Sequence, residues 1–273
     1  MKITTHLTAT AFIIVMTAGL SYGQGLSIYT SAGYGLGRGG TEWCTSNVYN
    51  NNYNLTSVDN QYLSIGKGIK LEGGVQVDIN KNVGLRIGGE YSKMLPVLED
   101  KDEYADPLEP DIDKYKASLL KVQCIAVFKH KAASIHPYAG IGGGLFLADM
   151  SREGIYHIYL WYGEIKMEDK VEYKFKPALG FIGLLGIETA ITPELSFFAE
   201  VNLQQVAFRI KEYEVVKYSI DGEDSKDDID LDEDKAGNQT TILFEEDSIT
   251  EETPWVLQGS NAGIRFGFKI NIL

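Results

Sequence analysis

Eight ionisable residues stand at alternating positions in otherwise apolar stretches: Glu72, Arg86, Glu90, Lys121, Glu188, Glu200, Arg209 and Arg265. Carboxylates and cations placed this way can do acid–base chemistry, hold ions, or hold one another as buried pairs. Catalysis needs a nucleophile and a base brought together. Beyond the first 23 residues the histidines are His130, His136 and His157. They fall at a turn, at the start of a strand and in a long loop, so they share no site, and the reading is that the chain is not an enzyme. The ionisable set is read instead as an ion-pair cluster, and no cofactor is implied.

Two further groups carry chemistry of other kinds. Asp228, Asp230, Asp232 and Asp234 resemble a calcium loop, but an EF-hand needs Gly at its sixth position and Glu at its twelfth. Counting from Asp228, those places hold Glu233 and Gln239. No metal site is assigned, and weak, nonspecific divalent binding at the four aspartates is the chemistry that is left. Trp43, Tyr156, Tyr159, Trp161 and Tyr162 form an aromatic group in long connections. It reads either as an interfacial girdle or as a contact patch for a glycan, a protein or a host surface. Gly140, Gly142, Gly143 and Gly144, with Gly180, Gly183 and Gly186, lack the Lys-Ser/Thr ending of a phosphate loop. They lie inside strand patterns, where they let strands bend or make room for Tyr138 and Phe146.

The elements that hold these residues show a period of two. Ile69, Leu71, Val75, Val77 and Ile79 alternate with Lys70, Glu72, Gln76 and Asp78. After Asn80-Lys81-Asn82, Val83, Leu85, Ile87 and Tyr91 alternate with Arg86, Glu90 and Ser92. This is a hairpin with one apolar and one polar face. If Ile79 pairs with Val83, Glu72 lies opposite Glu90, and two facing carboxylates must recruit cations. The same pattern recurs near residues 26–36, 120–128, 135–147, 175–187, 195–203 and 264–272, giving eight strands. Each reaches the roughly 9–11 residues that a tilted strand needs to cross a bilayer. Links after strands two, four and six are short; those near 38–66, 96–113, 149–170 and 212–260 are long. In the third long link, alternation around Tyr156 and Tyr159 predicts that the strand pair continues as a β-ribbon. An even strand number with short-then-long links is the layout of a membrane β-barrel. A soluble sandwich or lipocalin-like barrel also alternates; the two differ in which face points outward.

Composition narrows the class. Lys plus Arg is 25 and Asp plus Glu is 38, a net charge of −13, which excludes a counterion-displacing nucleic-acid binder. The charge is uneven. Asp221 to Glu252 holds 14 acids against Lys226 and Lys235, and Glu99 to Lys114 holds 8 acids against two lysines. The remainder is about +5, so the reading is a mildly basic barrel with long acidic extracellular loops. Cys44 falls in a loop and Cys124 in a strand, and no disulfide is expected between them. Residues 1–23 read as a signal peptide, with Lys2, an apolar run from Ala11 to Met16, and Ser21 and Gly23 before a cut at Gln24. Residues 24–273 form the barrel.

The signal peptide, the eight alternating strands and the segment Gly263-Ile264-Arg265-Phe266-Gly267-Phe268-Lys269-Ile270-Asn271-Ile272-Leu273 resemble the small bacterial outer-membrane β-barrels of the OmpA and OmpW type, a porin-like group. Members often end in Phe; here the last residue is Leu273, with Phe266 and Phe268 further in. The resemblance implies an all-β, eight-stranded antiparallel up-and-down transmembrane β-barrel in the bacterial outer membrane, and a monomer. Its partners would be outer-membrane lipid, lipopolysaccharide and the barrel-assembly machinery, with no nucleic acid. The implied role is structural or surface interaction, with a lumen plugged by ion pairs. A narrow channel for small solutes is the alternative, and an adhesin the second.

Overall fold

Runs rich in Val, Ile, Phe and Tyr at alternate positions favour pleated, half-buried backbone, and all sixteen described elements are strands. The computed structural model describes residues 25–37, 41–49, 55–63, 65–94, 97–100, 112–130, 134–160, 163–224, 241–243 and 256–272. The strands are β1 (Leu26–Gly37), β2 (Thr41–Tyr49), β3 (Leu55–Leu63), β4 (Gly68–Asp78), β5 (Val83–Lys93), β6 (Val97–Asp100), β7 (Ile112–Lys129) and β8 (Ile135–Leu160). There follow β9 (Gly163–Phe175), β10 (Ala178–Ala190), β11 (Leu195–Gln205), β12 (Ala207–Ile220), β13 (Glu223–Asp224), β14 (Thr241–Leu243), β15 (Val256–Gln258) and β16 (Asn261–Asn271).

Eight of these close into a barrel. Antiparallel pairing runs β1-β4-β5-β7-β8-β10-β11-β16, and β16 returns to β1 through Tyr34↔Ile264 and its neighbours. These are the eight segments that the alternation marks. Side chains close the short turns. Asn80 Oδ1 accepts from the backbone N–H groups of Asn82 (2.8 Å) and Val83 (2.9 Å). Thr192 Oγ1 accepts from the N–H of Leu195 at 3.1 Å. Both are local turns of the kind Asn and Thr favour.

Closure decides which face points outward. Leu185 is 65% exposed and Phe266 55%, whereas Arg86 is 1% and Arg265 2%. Along β1, Ser27, Tyr29 and Ser31 are buried and Ile28 and Tyr34 exposed; along β7, Lys121, Gln123 and Ile125 are buried and Leu120, Val122 and Phe128 exposed. A soluble barrel has the opposite arrangement. Cys124, a free thiol, lies on the outward face.

The wall is taller than a membrane on one side. β8 runs for 26 residues, roughly 85 Å at about 3.3 Å per residue. Its first half pairs β10 and its second half pairs β9. β9 leads into β10 through Lys176-Pro177, and β11 into β12 through Val206. Opposite Leu147 and Ala148, the other strand spends three residues, Phe175 to Pro177. That is a bulge, placed where Pro offers no N–H to the ladder. The described strands β9 and β12 therefore prolong wall strands, and the barrel stays at eight. Residues 149–160, 163–170 and 212–220 are strands where the sequence suggested long loops. The expected ribbon is present between β8 and β9 but extends further, because charges on its solvent face obscure the alternation. Residues 41–49 and 55–63 of the first long link pair as a separate hairpin.

Because the outward face is in hydrocarbon, Val201→Arg, near mid-height on β11, is expected to destabilise the protein by about 2–4 kcal/mol. Val201→Leu should be near neutral. Denaturant titration in lipid vesicles checks this.

Candidate functional site

The register Glu72↔Glu90 faces two carboxylates across β4 and β5, and cations from distant strands meet them. Lys121 Nζ lies 3.0 Å from Glu90, Arg265 Nη1 3.4 Å and Lys70 Nζ 3.9 Å. Arg265 also contacts Glu72 and Glu200. Glu200 receives Arg86 Nη1 at 2.9 Å and a hydrogen bond from Tyr138 Oη at 2.7 Å. Gln123 Nε2 donates to Glu72 at 2.7 Å, and Arg86 Nε donates to Gln76 at 3.3 Å. A network this fully cross-linked lets buried charges persist where single ones would be expelled.

Aromatic rings fix the centre. The Arg86 guanidinium lies 4.7 Å from the Tyr29 ring centroid, 5.5 Å from Phe198 and 5.6 Å from Tyr138, in cation–π geometry. Two glycines make the space. A Cβ on Gly88 would come within 2.1 Å of the Tyr29 hydroxyl, and one on Gly186 within 2.4 Å of the Tyr138 ring. Toward the loop end the interior turns apolar, with Leu119, Phe146, Met150, Phe175, Val206 and Phe208 in one cluster.

Glu72, Arg86, Glu90, Lys121, Glu200 and Arg265 thus come together. Glu188 does not join them: it sits nearer the turn end, opposite Phe198 in the register, and pairs with Lys269. Arg209 is a correction. The inward positions of β11 are even-numbered, so Arg209 has outward parity; it lies beyond the break at Val206 and is exposed. Lys70, Gln123 and Tyr138 belong to the interior network though the sequence did not single them out as its members. Their inward parity was the available signal. Of the aromatic group, Tyr156 is half-buried on β8. Trp161, Tyr162 and the aspartates 228–234 lie outside the described residues, as do the side chains of Trp43 and Tyr159. His136 and His157 stand toward opposite ends of β8.

An apolar belt encircles a charged interior, and every wall strand is paired on both sides. The chain is a membrane-spanning β-barrel. No protein-family model matches the barrel's sequence, and no curated protein does. Solved structures resemble it. Neisserial surface protein A is 12% identical over 91% of this chain and 97% of that one, with a TM-score of 0.39. A major outer membrane protein from Thermus thermophilus is 10% identical over 91% and 99%, with a TM-score of 0.42. CarO from Acinetobacter baumannii is 14% identical over 88% and 96%, with a TM-score of 0.30. At such identities and scores, the barrel's own closure and surface carry the assignment.

Outside the membrane, charges pair within and across strands. Glu168 lies 2.8 Å from Lys166 and 2.5 Å from Lys217, and Lys174 lies 2.9 Å from Glu212. Hydrogen bonds from Lys166 and then Lys217 hold the Glu168 carboxyl down at about 2. A folded pKa below the unfolded value means that this clamp is complete above the ordinary carboxylate range and is lost as pH falls toward 2. Titration followed by carboxyl NMR should show Glu168 protonating well below the ordinary carboxylate range, and Lys217→Met should move it upward.

Within the lumen, Glu200→Gln removes the charge shared by Arg86 and Arg265. It is expected to destabilise the barrel by about 3–5 kcal/mol, against less than about 1 kcal/mol for Glu153→Gln at the half-exposed Lys116 pair. Denaturant midpoints of the heat-modifiable form compare the two.

Proposed function

We propose that this barrel resides in the bacterial outer membrane as a monomer with a structural or surface-interaction role. Its lumen is plugged by ion pairs, and its outer sheet and loops meet the environment. Residues 1–23 direct export and are removed before Gln24. The observation that supports the plug is the Glu72–Arg265–Glu200–Arg86 network, which spans from β4 and β5 to β11 and β16 with Tyr29, Tyr138 and Phe198 packed around it. An eight-stranded barrel has room for little more than its own side chains. The surface role is supported by the height of β7, β8, β9 and β12, which carries cross-strand ion pairs well beyond the span a bilayer needs. No catalytic role is proposed.

Cell fractionation, with gels of boiled and unboiled sample and N-terminal sequencing, tests location and processing. An outer-membrane protein that migrates differently unboiled and begins at Gln24 is expected. A soluble protein whose migration does not change on heating would overturn the reading. In planar bilayers the purified barrel is expected to give no resolved conductance steps. Steady steps altered by Glu90→Lys would replace the plug with a narrow channel.

A further inference from the structure

Among the described residues the interior charges do not balance. Near the turn end, Lys129 pairs with Asp78 and Lys269 with Glu188. At mid-height, Lys70, Arg86, Lys121 and Arg265 face Glu72, Glu90 and Glu200, four cations to three carboxylates. All seven are at most 4% exposed. An ion without a counter-charge in so dry a place is strongly disfavoured; it sheds its proton or draws a counterion.

The excess has a location. Arg86 and Arg265 are served by Glu200 and Glu72, whereas both lysines depend on Glu90, which Arg265 also approaches. Beyond Glu90, Lys70 Nζ has Asn261 Oδ1 at 2.5 Å, and Lys121 Nζ has Gln204 Oε1 at 3.2 Å. Neutral polar side chains occupy neighbouring inward positions. Gln204 is the register partner of Asn261, and Ser92 that of Lys70. Asn202 is the next inward residue from Gln204 and lies over Gly263, whose register partner Gly35 lies under the Lys70 chain. The Gln204 Nε2, Ser92 Oγ and both polar atoms of the Asn202 side chain are buried and have no partner among the described residues. Two cations and unpartnered polar groups at neighbouring inward positions of a closed interior are the elements of an anion site.

We propose that this part of the lumen binds one small monovalent anion of halide size between Lys70 and Lys121, with Asn202, Gln204 and Ser92 donating to it. The bound ion brings the mid-height layer to neutrality. The site needs only the closed lumen and is independent of the surface role above.

The test uses the full barrel refolded in detergent with sodium gluconate, whose anion is too large for the lumen. It is then moved into rising sodium bromide at constant ionic strength. The temperature at which the compact form is lost on unboiled gels is expected to rise saturably with bromide and to stay fixed in gluconate. Lys70→Met leaves three cations to three carboxylates and is expected to abolish the rise. Equal midpoints in both salts overturn the proposal, as they would if a lysine were neutral. A full bromide response in Lys70→Met overturns it as well. Should that variant fail to refold, anomalous scattering from bromide-soaked crystals of the unaltered protein decides. A peak beside Lys70 and Lys121 supports the site, and none there refutes it.

Discussion

A strand in hydrocarbon can satisfy its backbone N–H and C=O groups only on another strand. The ladder between β1 and β16, which joins the two ends of the described wall, meets that demand and leaves no open edge within the barrel. The rest of the architecture follows from it. Once the wall is closed, each strand has an inside and an outside, and a period of two sends alternate residues to lipid and to lumen. Lipid accepts Leu185, Val201 and Phe266 without penalty. The lumen receives what remains, charged and polar side chains at mid-height and an apolar cluster toward the loop end.

That interior sets its own terms. Charges denied water must find partners across the barrel, and the partners come from strands far apart in sequence: Arg86 and Glu200, or Lys70 and Asn261. Aromatic rings around Arg86 supply polarisable surface while excluding water, and glycines at Gly88 and Gly186 let those rings lie flat against the wall. The glycine richness of the chain is thus the counterpart of its lumen aromatics. Large inward side chains on some strands require none on their neighbours.

Much of this was legible in the sequence because parity is a local property. The eight segments and the short turns follow from the alternation, and the opposition of Glu72 and Glu90 follows from counting outward from Asn80-Lys81-Asn82. Orientation was not legible, since a soluble barrel carries the same alternation and only closure with measured exposure separates the two. Pairing partners were out of reach for a related reason: Arg265 meets Glu72, Glu90 and Glu200 through the shear of the barrel, which no single hairpin encodes. Arg209 shows the opposite failure, where parity was available and would have excluded it. The tall strands were hidden by composition. Their solvent face bears Lys166, Glu168, Lys170, Glu172 and Lys174, and a run of charges reads as loop until cross-strand partners such as Glu212 and Lys217 are known.

The continuity of β7 and β8 through the wall has a mechanical side. Each strand is one piece of chain from the turn end of the barrel to the outer sheet, hydrogen-bonded to the other from Ile112↔Ile155 down to Lys129↔Tyr138. A pull on the outer tip of β8 runs along the strand axis and loads the whole ladder at once in shear, without peeling it bond by bond. The outer sheet is therefore anchored as a post set deep in its footing, and a pull on it is borne by the barrel itself.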